Sequence, residues 1–153
     1  MAGILENYAA RGVFRGFSRG PAGKGRANFK MLWHRDRLFE LILDEKRAAM
    51  RIPVVLPEVT AGSSMYRELQ EFVASRHSEA VPEHRRIHIA KSRIRCSNRA
   101  GNASLTATAL DGDYEYALRK LINLVHEIYL DFLLDGRYYE YMVETFNLDP
   151  DRM

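Results

Sequence analysis

The sequence predicts an α+β domain in which an antiparallel sheet of about five strands carries helices on one face. Three observations predict it. Residues 114–134 form an amphipathic helix with a broad apolar stripe, which needs a surface as wide as a sheet to cover it. Pairs of short segments with alternating apolar and polar residues are joined by brief polar links, the pattern of β-hairpins. A second helical segment separates these pairs, giving the order β-β-β-α-β-β-α.

The chain opens with residues 1–27, read as a flexible, basic, Gly/Arg-rich arm ahead of a single α+β domain at 28–153 with a helical C-terminal tail. Residues 3–10 have helical character but are too few to hold a helix unless docked. From Arg11 to Ala27 lie five of the ten glycines, with five basic residues and Pro21, a composition that suits a loose tether. Its Gly-Pro-Ala-Gly-Lys-Gly lacks the spacing of a phosphate-binding loop, and no expected strand precedes it.

Phe29 to Arg35 reads as a strand, with Phe29, Met31 and Trp33 alternating against Lys30 and His34. Leu38 to Leu43 and Ala48 to Val55 follow, joined by Asp-Glu-Lys-Arg at 44–47. Phe39, Leu41 and Leu43 are expected to face inward with Met50, Ile52 and Val54. Pro53 cannot donate to a ladder, so this third strand is expected at an edge or an end. Ser63 or Ser64 caps a helix to about His77, with Met65, Leu69, Phe72 and Val73 on its apolar stripe. Ile87 to Ser97 and Ala103 to Leu110 form another hairpin across residues 98–102.

In the main helix, Ala117, Leu118, Leu121, Ile122, Leu124, Val125, Ile128, Tyr129, Phe132 and Leu133 share one side. Asp113 is placed to cap its start, and Gly136 to end it in a left-handed conformation. Tyr138 to Phe146 suggests a last short helix before Asp149-Pro150. The element order over about residues 29–134 resembles that of small bacterial secretion-chaperone-like domains, in which an antiparallel sheet carries helices on one side and pairs into dimers. That resemblance implies a protein-binding role. Those chaperones are typically acidic, whereas this chain has a net charge of +3.

The charge is unevenly spread. Residues 1–37 carry eight basic and two acidic residues, a balance of +6, while residues 111–153 carry four against ten, a balance of −6. No apolar run approaches the roughly 20 residues of a membrane span, so no membrane contact is expected. No secretory signal is evident either, because Glu6, Asn7, Arg11 and Arg15 interrupt the N-terminal residues. The lone Cys96 cannot form an internal disulfide, and a cytoplasmic location is expected. On a strand with no base beside it, Cys96 reads as structural.

No catalytic constellation emerges. His84 and His88 are four apart, but Pro82 and the basic residues after them favour a loop, and no carboxylate or thiol cluster joins them at zinc-like spacing. His126, Glu127 and Asn123 lie on the polar side of the main helix, where nothing is expected to shift their acidity. No metal or cofactor is therefore expected.

The most specific pattern is Lys91, Arg93 and Arg95, which a strand would project from one face. Ser104, Thr106 and Thr108 alternate on the neighbouring strand, and Arg51 and Lys30 could join them. Such a face suits an anion or a nucleic acid, although aromatic stacking platforms are missing from it. Phe14 and Phe17 alternate with arginines in the arm, a weak match to disordered RNA-contacting tails. A solvated sheet face also carries charge for solubility alone. Tyr116, Leu130 and Leu134 interrupt the polar side of the main helix and, with Tyr138, Tyr139 and Tyr141, are candidates for a partner interface. The leading expectation is a non-enzymatic binding or adaptor domain that takes a protein partner or pairs as a homodimer. The alternative is a nucleic-acid-binding accessory protein that uses the basic sheet face and the arm.

Overall fold

A computed structural model of the chain describes residues 2–14, 16–20, 25–135 and 138–146. It has six strands, β1 (Gly16–Arg19), β2 (Arg26–Leu32), β3 (Leu38–Asp44), β4 (Ala49–Leu56), β5 (Ser92–Arg99) and β6 (Asn102–Ala109), and four α-helices, α1 (Ala2–Ala10), α2 (Ser64–Ser75), α3 (Tyr114–Glu127) and α4 (Tyr139–Phe146). The strands form one sheet in the order β1-β2-β3-β4-β6-β5, every neighbouring pair antiparallel. The expected α+β architecture is present, with one strand more than the pattern indicated.

The extra strand comes from the stretch read as a loose arm. Phe17 of β1 pairs with Met31 and stacks on Phe29, with ring centroids 5.9 Å apart. Leu5 and Tyr8 of α1 and Phe14 are buried in the main core, and the Phe14 ring meets Trp33 edge-on at 5.0 Å. Short elements with little intrinsic stability hold because they dock. Phe14 and Phe17 are thus packing residues, not exposed contacts for RNA.

The inner face of the sheet is written in alternating residues. Phe29 and Met31 of β2, Phe39, Leu41 and Leu43 of β3, and Met50 and Ile52 of β4 are all buried. Beyond Ile52 the expectation slips by one place: Val55 is buried and Val54 is not, because the β4–β6 register shifts between Ile52 and Leu56. Pro53 lies in that interruption. β4 is an interior strand, not an edge, and it accommodates the missing N–H by breaking its ladder locally. The carbonyls beside the break accept from side chains. Ser104 Oγ donates to Ile52 O at 3.1 Å, and Tyr129 Oη donates to Val55 O at 2.7 Å.

α3 crosses the inner face. All ten apolar side chains expected on its inner side, from Ala117 to Leu133, are buried. Burying each of the larger side chains among them contributes about 2 kcal/mol. Asp113 caps the helix, its carboxylate accepting from Tyr116 N at 3.1 Å. The helical path does not run unbroken to Leu134. It widens into a π-turn at Ile128–Phe132 and tightens into a 3-10 turn at Leu133–Asp135. Gly136 and Asp149-Pro150, the expected stops, lie outside the described residues.

α2 is capped by Ser63, whose side chain accepts from Tyr66 N at 3.1 Å. It packs along β5, the last strand in the order. Beside it, His77 Nε2 accepts from Ile94 N at 3.1 Å, and Asn98 Nδ2 donates to Val59 O at 2.6 Å. This edge is therefore covered by side chains as well as by a helix. β5 begins at Ser92, five residues later than the alternation suggested, because residues 88–91 form a turn in which Ser92 N donates to His88 O at 2.9 Å. The β5–β6 connection is also tighter than expected. Only Ala100 and Gly101 separate the strands, both with positive φ, at 52° and 81°.

Candidate anion-binding face

Antiparallel register places side chains from different strands in rows across the outer face of the sheet. One row runs Asn28, Ile42, Arg51, Thr106, Arg95, and the next runs Arg26, Asp44, Ala49, Thr108, Arg93. Lys30 sits opposite Glu40 in a third row. Arg99 follows Arg95 on the same side of β5 by period two. Arg26, Lys30, Arg51, Arg93, Arg95 and Arg99 thus share this face, whose acidic side chains among the described strand residues are Glu40 and Asp44. Arg93, Arg95 and Lys30 are exposed, and none of the described helices covers them.

Sequence spacing grouped Lys91 with this set, and the structure removes it. Lys91 belongs to the turn before β5. Its ammonium lies 3.2 Å from Asp113 Oδ2, 4.0 Å from Asp111 Oδ2 and 4.5 Å from the Tyr116 ring centre. The Asp113 hydrogen bond raises its pKa and ties it to the start of α3. Arg51, Arg93, Arg95 and Lys30 remain on the face.

Around Arg51 the charges gather closely. A cavity of about 140 Å³ is lined by Arg26, Arg47, Arg51 and Arg99, with Asp44, Thr106 and Ala49. Asp44 reaches Arg26 at 3.7 Å and Arg47 at 3.9 Å, longer than a good charge-assisted hydrogen bond. Burial, then Arg99, Arg26 and Arg47, pull the Arg51 pKa below its ordinary value, while Asp44 opposes them. Arg51 Nε is screened from solvent and lacks a hydrogen-bond partner among the described residues. The like charges are held together by the sheet, and an anion would relieve their repulsion.

Sequence reasoning missed Arg26, Arg47 and Arg99. Two more steps of the period-two count from Arg95 would have reached Arg99. Arg26 required knowing that β2 starts there, and Arg47, in a turn, carries no periodic signal.

The aromatic candidates for a partner interface are mostly engaged internally. Tyr138 is buried, its hydroxyl hydrogen-bonded to Glu68 and its ring stacked on Phe132 at 4.7 Å. Tyr141 Oη donates to Pro57 O at 2.7 Å, and Tyr116 Oη accepts from His88 N at 2.9 Å. The side chain of Tyr139 lies outside the described set. Leu130 and Leu134 are exposed, at 58% and 53%.

The histidines on the helix side serve packing. The His34 ring lies 4.6 Å from Tyr129, nearly parallel to it, and 4.8 Å from His126. Burial, then His126 and Arg35, hold the His34 pKa down at about 4, and burial lowers His126 as well. Both are neutral at pH 7. Glu127, expected on a wet helix side, is instead buried in an ion pair with Arg76 at 3.0 Å. Burial pushes the Cys96 thiol up to about 12, which keeps it protonated and unreactive at neutral pH. Among the described residues no group of three or more His, Cys, Asp or Glu side chains could hold a metal ion, and no helix is long and apolar enough to cross a membrane.

Comparison with protein-family models, curated proteins and solved structures returned no match.

Proposed function

We propose that this protein binds nucleic acid, gripping the phosphate backbone on the open face of its sheet. The observation that carries the proposal is the row Arg51, Thr106, Arg95, flanked by Arg93 and Lys30 on a face without a covering helix. Guanidinium groups in a fixed array match phosphate geometry, and threonine hydroxyls between them supply further donors. The face offers no aromatic ring for a base to stack on, so contacts to sugar and phosphate dominate and sequence preference is weak. The opposite face is spent on the core. Among the described side chains, Leu130 and Leu134 are the remaining exposed members of the set expected to bind a protein, a narrow basis for that alternative.

Fluorescence anisotropy with labelled single-stranded and duplex oligonucleotides tests the proposal. Binding at low salt should weaken about 100-fold between 50 and 200 mM salt if about five phosphates of a single strand are contacted. The double variant Arg93→Glu, Arg95→Glu should abolish it without altering the circular dichroism spectrum. Absence of binding at low salt, or binding indifferent to the double variant, would overturn the proposal, and capture of an acidic protein instead would redirect it.

A further inference from the structure

We infer that the cavity around Arg51 is a seat for a phosphomonoester. On the nucleic-acid reading above, on which this rests, that group is the terminal phosphate of a strand whose remaining phosphates run over Arg93 and Arg95.

Four guanidiniums and one carboxylate line the cavity, leaving a local surplus of +3. An internal phosphodiester brings one negative charge, whereas a terminal phosphate brings about −1.5 to −2 at neutral pH and three exposed oxygens. The surplus therefore favours the terminal group. Size agrees as well. The volume of about 140 Å³ is several times the ~30 Å³ share of a water molecule in the liquid and admits a phosphoryl group. Donors converge from separate elements: Arg26 from β2, Arg47 from the β3–β4 turn, Arg51 from β4 and Arg99 from β5. Ala49 leaves the room, since a longer side chain at that place in the row would occupy the cavity. Asp44 has a second role on this arrangement. By holding Arg26 and Arg47 loosely at 3.7 and 3.9 Å it keeps both forks near the opening, without neutralising Arg51 or Arg99.

The test uses the full chain and one oligonucleotide sequence carrying a 5′-phosphate, a 3′-phosphate or hydroxyl ends. One phosphorylated form should bind about tenfold more tightly than the hydroxyl form, in keeping with a group held by several charge-assisted hydrogen bonds. Ala49→Leu, which removes no charge, should erase that preference while the hydroxyl form still binds, and Arg47→Gln should erase it and weaken the hydroxyl form as well. Arg51→Gln should erase the preference and weaken all forms. Equal affinity for every end in the wild-type protein would overturn the inference while leaving the proposed function standing. Failure of all three oligonucleotides to bind would remove both. A nucleoside monophosphate that competes as well as the phosphorylated strand would show that the seat serves a small ligand, which overturns the assignment to a strand end.

Discussion

Tyr129 shows how one hydroxyl can mend a broken ladder. Its Oη donates to Val55 O and accepts from Arg37 Nη1, both at 2.7 Å, where Pro53 has interrupted the sheet. Tyr129→Phe should lower stability by about 1–2 kcal/mol, because a buried carbonyl loses its best donor. A drop in the urea midpoint at constant slope would register this, and an unchanged midpoint would show the contact to be dispensable. His34 makes stability depend on pH. Its folded pKa, about 4, lies below the ordinary 6.5, so the unfolded chain takes the proton first. The folded state is therefore undisturbed above pH 6.5 and loses stability as pH falls towards 4, by at most about 3 kcal/mol. Urea melts at pH 7.5 and 5 should differ accordingly, and His34→Phe, which keeps the stack on Tyr129, should narrow the difference. A slope unaffected by that change would assign the effect elsewhere.

Among the elements, the β5–β6 hairpin is built on a residue ill suited to it. A two-residue turn with positive φ at both places favours Asn-Gly, yet Ala100 occupies the first at φ 52°. Ala100→Asn should stabilise the protein by about 0.5–1 kcal/mol, read as a rise of a few degrees in Tm; a fall would mean the turn is not of this type. The existence of this hairpin was legible from the alternation in Leu105, Ala107 and Ala109, all buried. Its ends were not. Period two counts residues but does not say where a strand yields to a turn, and so Lys91 was placed beside Arg93 when it belongs to the cap of α3. In β4 the same count held to Ile52 and failed at Pro53, where the register shift moved burial from Val54 to Val55. Helix α3 was the most legible element, because its stripe is long, regular and capped by Asp113.

At the scale of the whole molecule, the stretch expected to hang free instead closes one end of the core. Leu5, Tyr8 and Phe14 are buried with Trp33 and Phe29 in a single cluster. Deleting residues 1–14 should cost about 6 kcal/mol, taking roughly 2 kcal/mol per buried side chain, a large part of the stability of a domain this size. Thermal unfolding of the truncated chain tests this, and a Tm within a few degrees of the full chain would show that these residues merely rest on the surface. Among the described residues, one face of the sheet is committed to α3, and the other presents exposed basic side chains. The +6 and −6 of the two ends do not describe that face. Its arginines come chiefly from the middle of the chain.

The sequence by itself determined which residues turn inward along α3, β3 and β6 and along β4 as far as Ile52, because apolar periodicity is a local property that any covering surface will satisfy. It determined α3, the hairpins and the cap at Asp113, and it narrowed the cap of α2 to Ser63 or Ser64. Only the tertiary structure decided which polar residues meet. Arg26, Arg47, Arg51 and Arg99 lie up to 73 positions apart in the chain, and they come together because antiparallel pairing brings β2, the β3–β4 hairpin and the β5–β6 hairpin into one sheet.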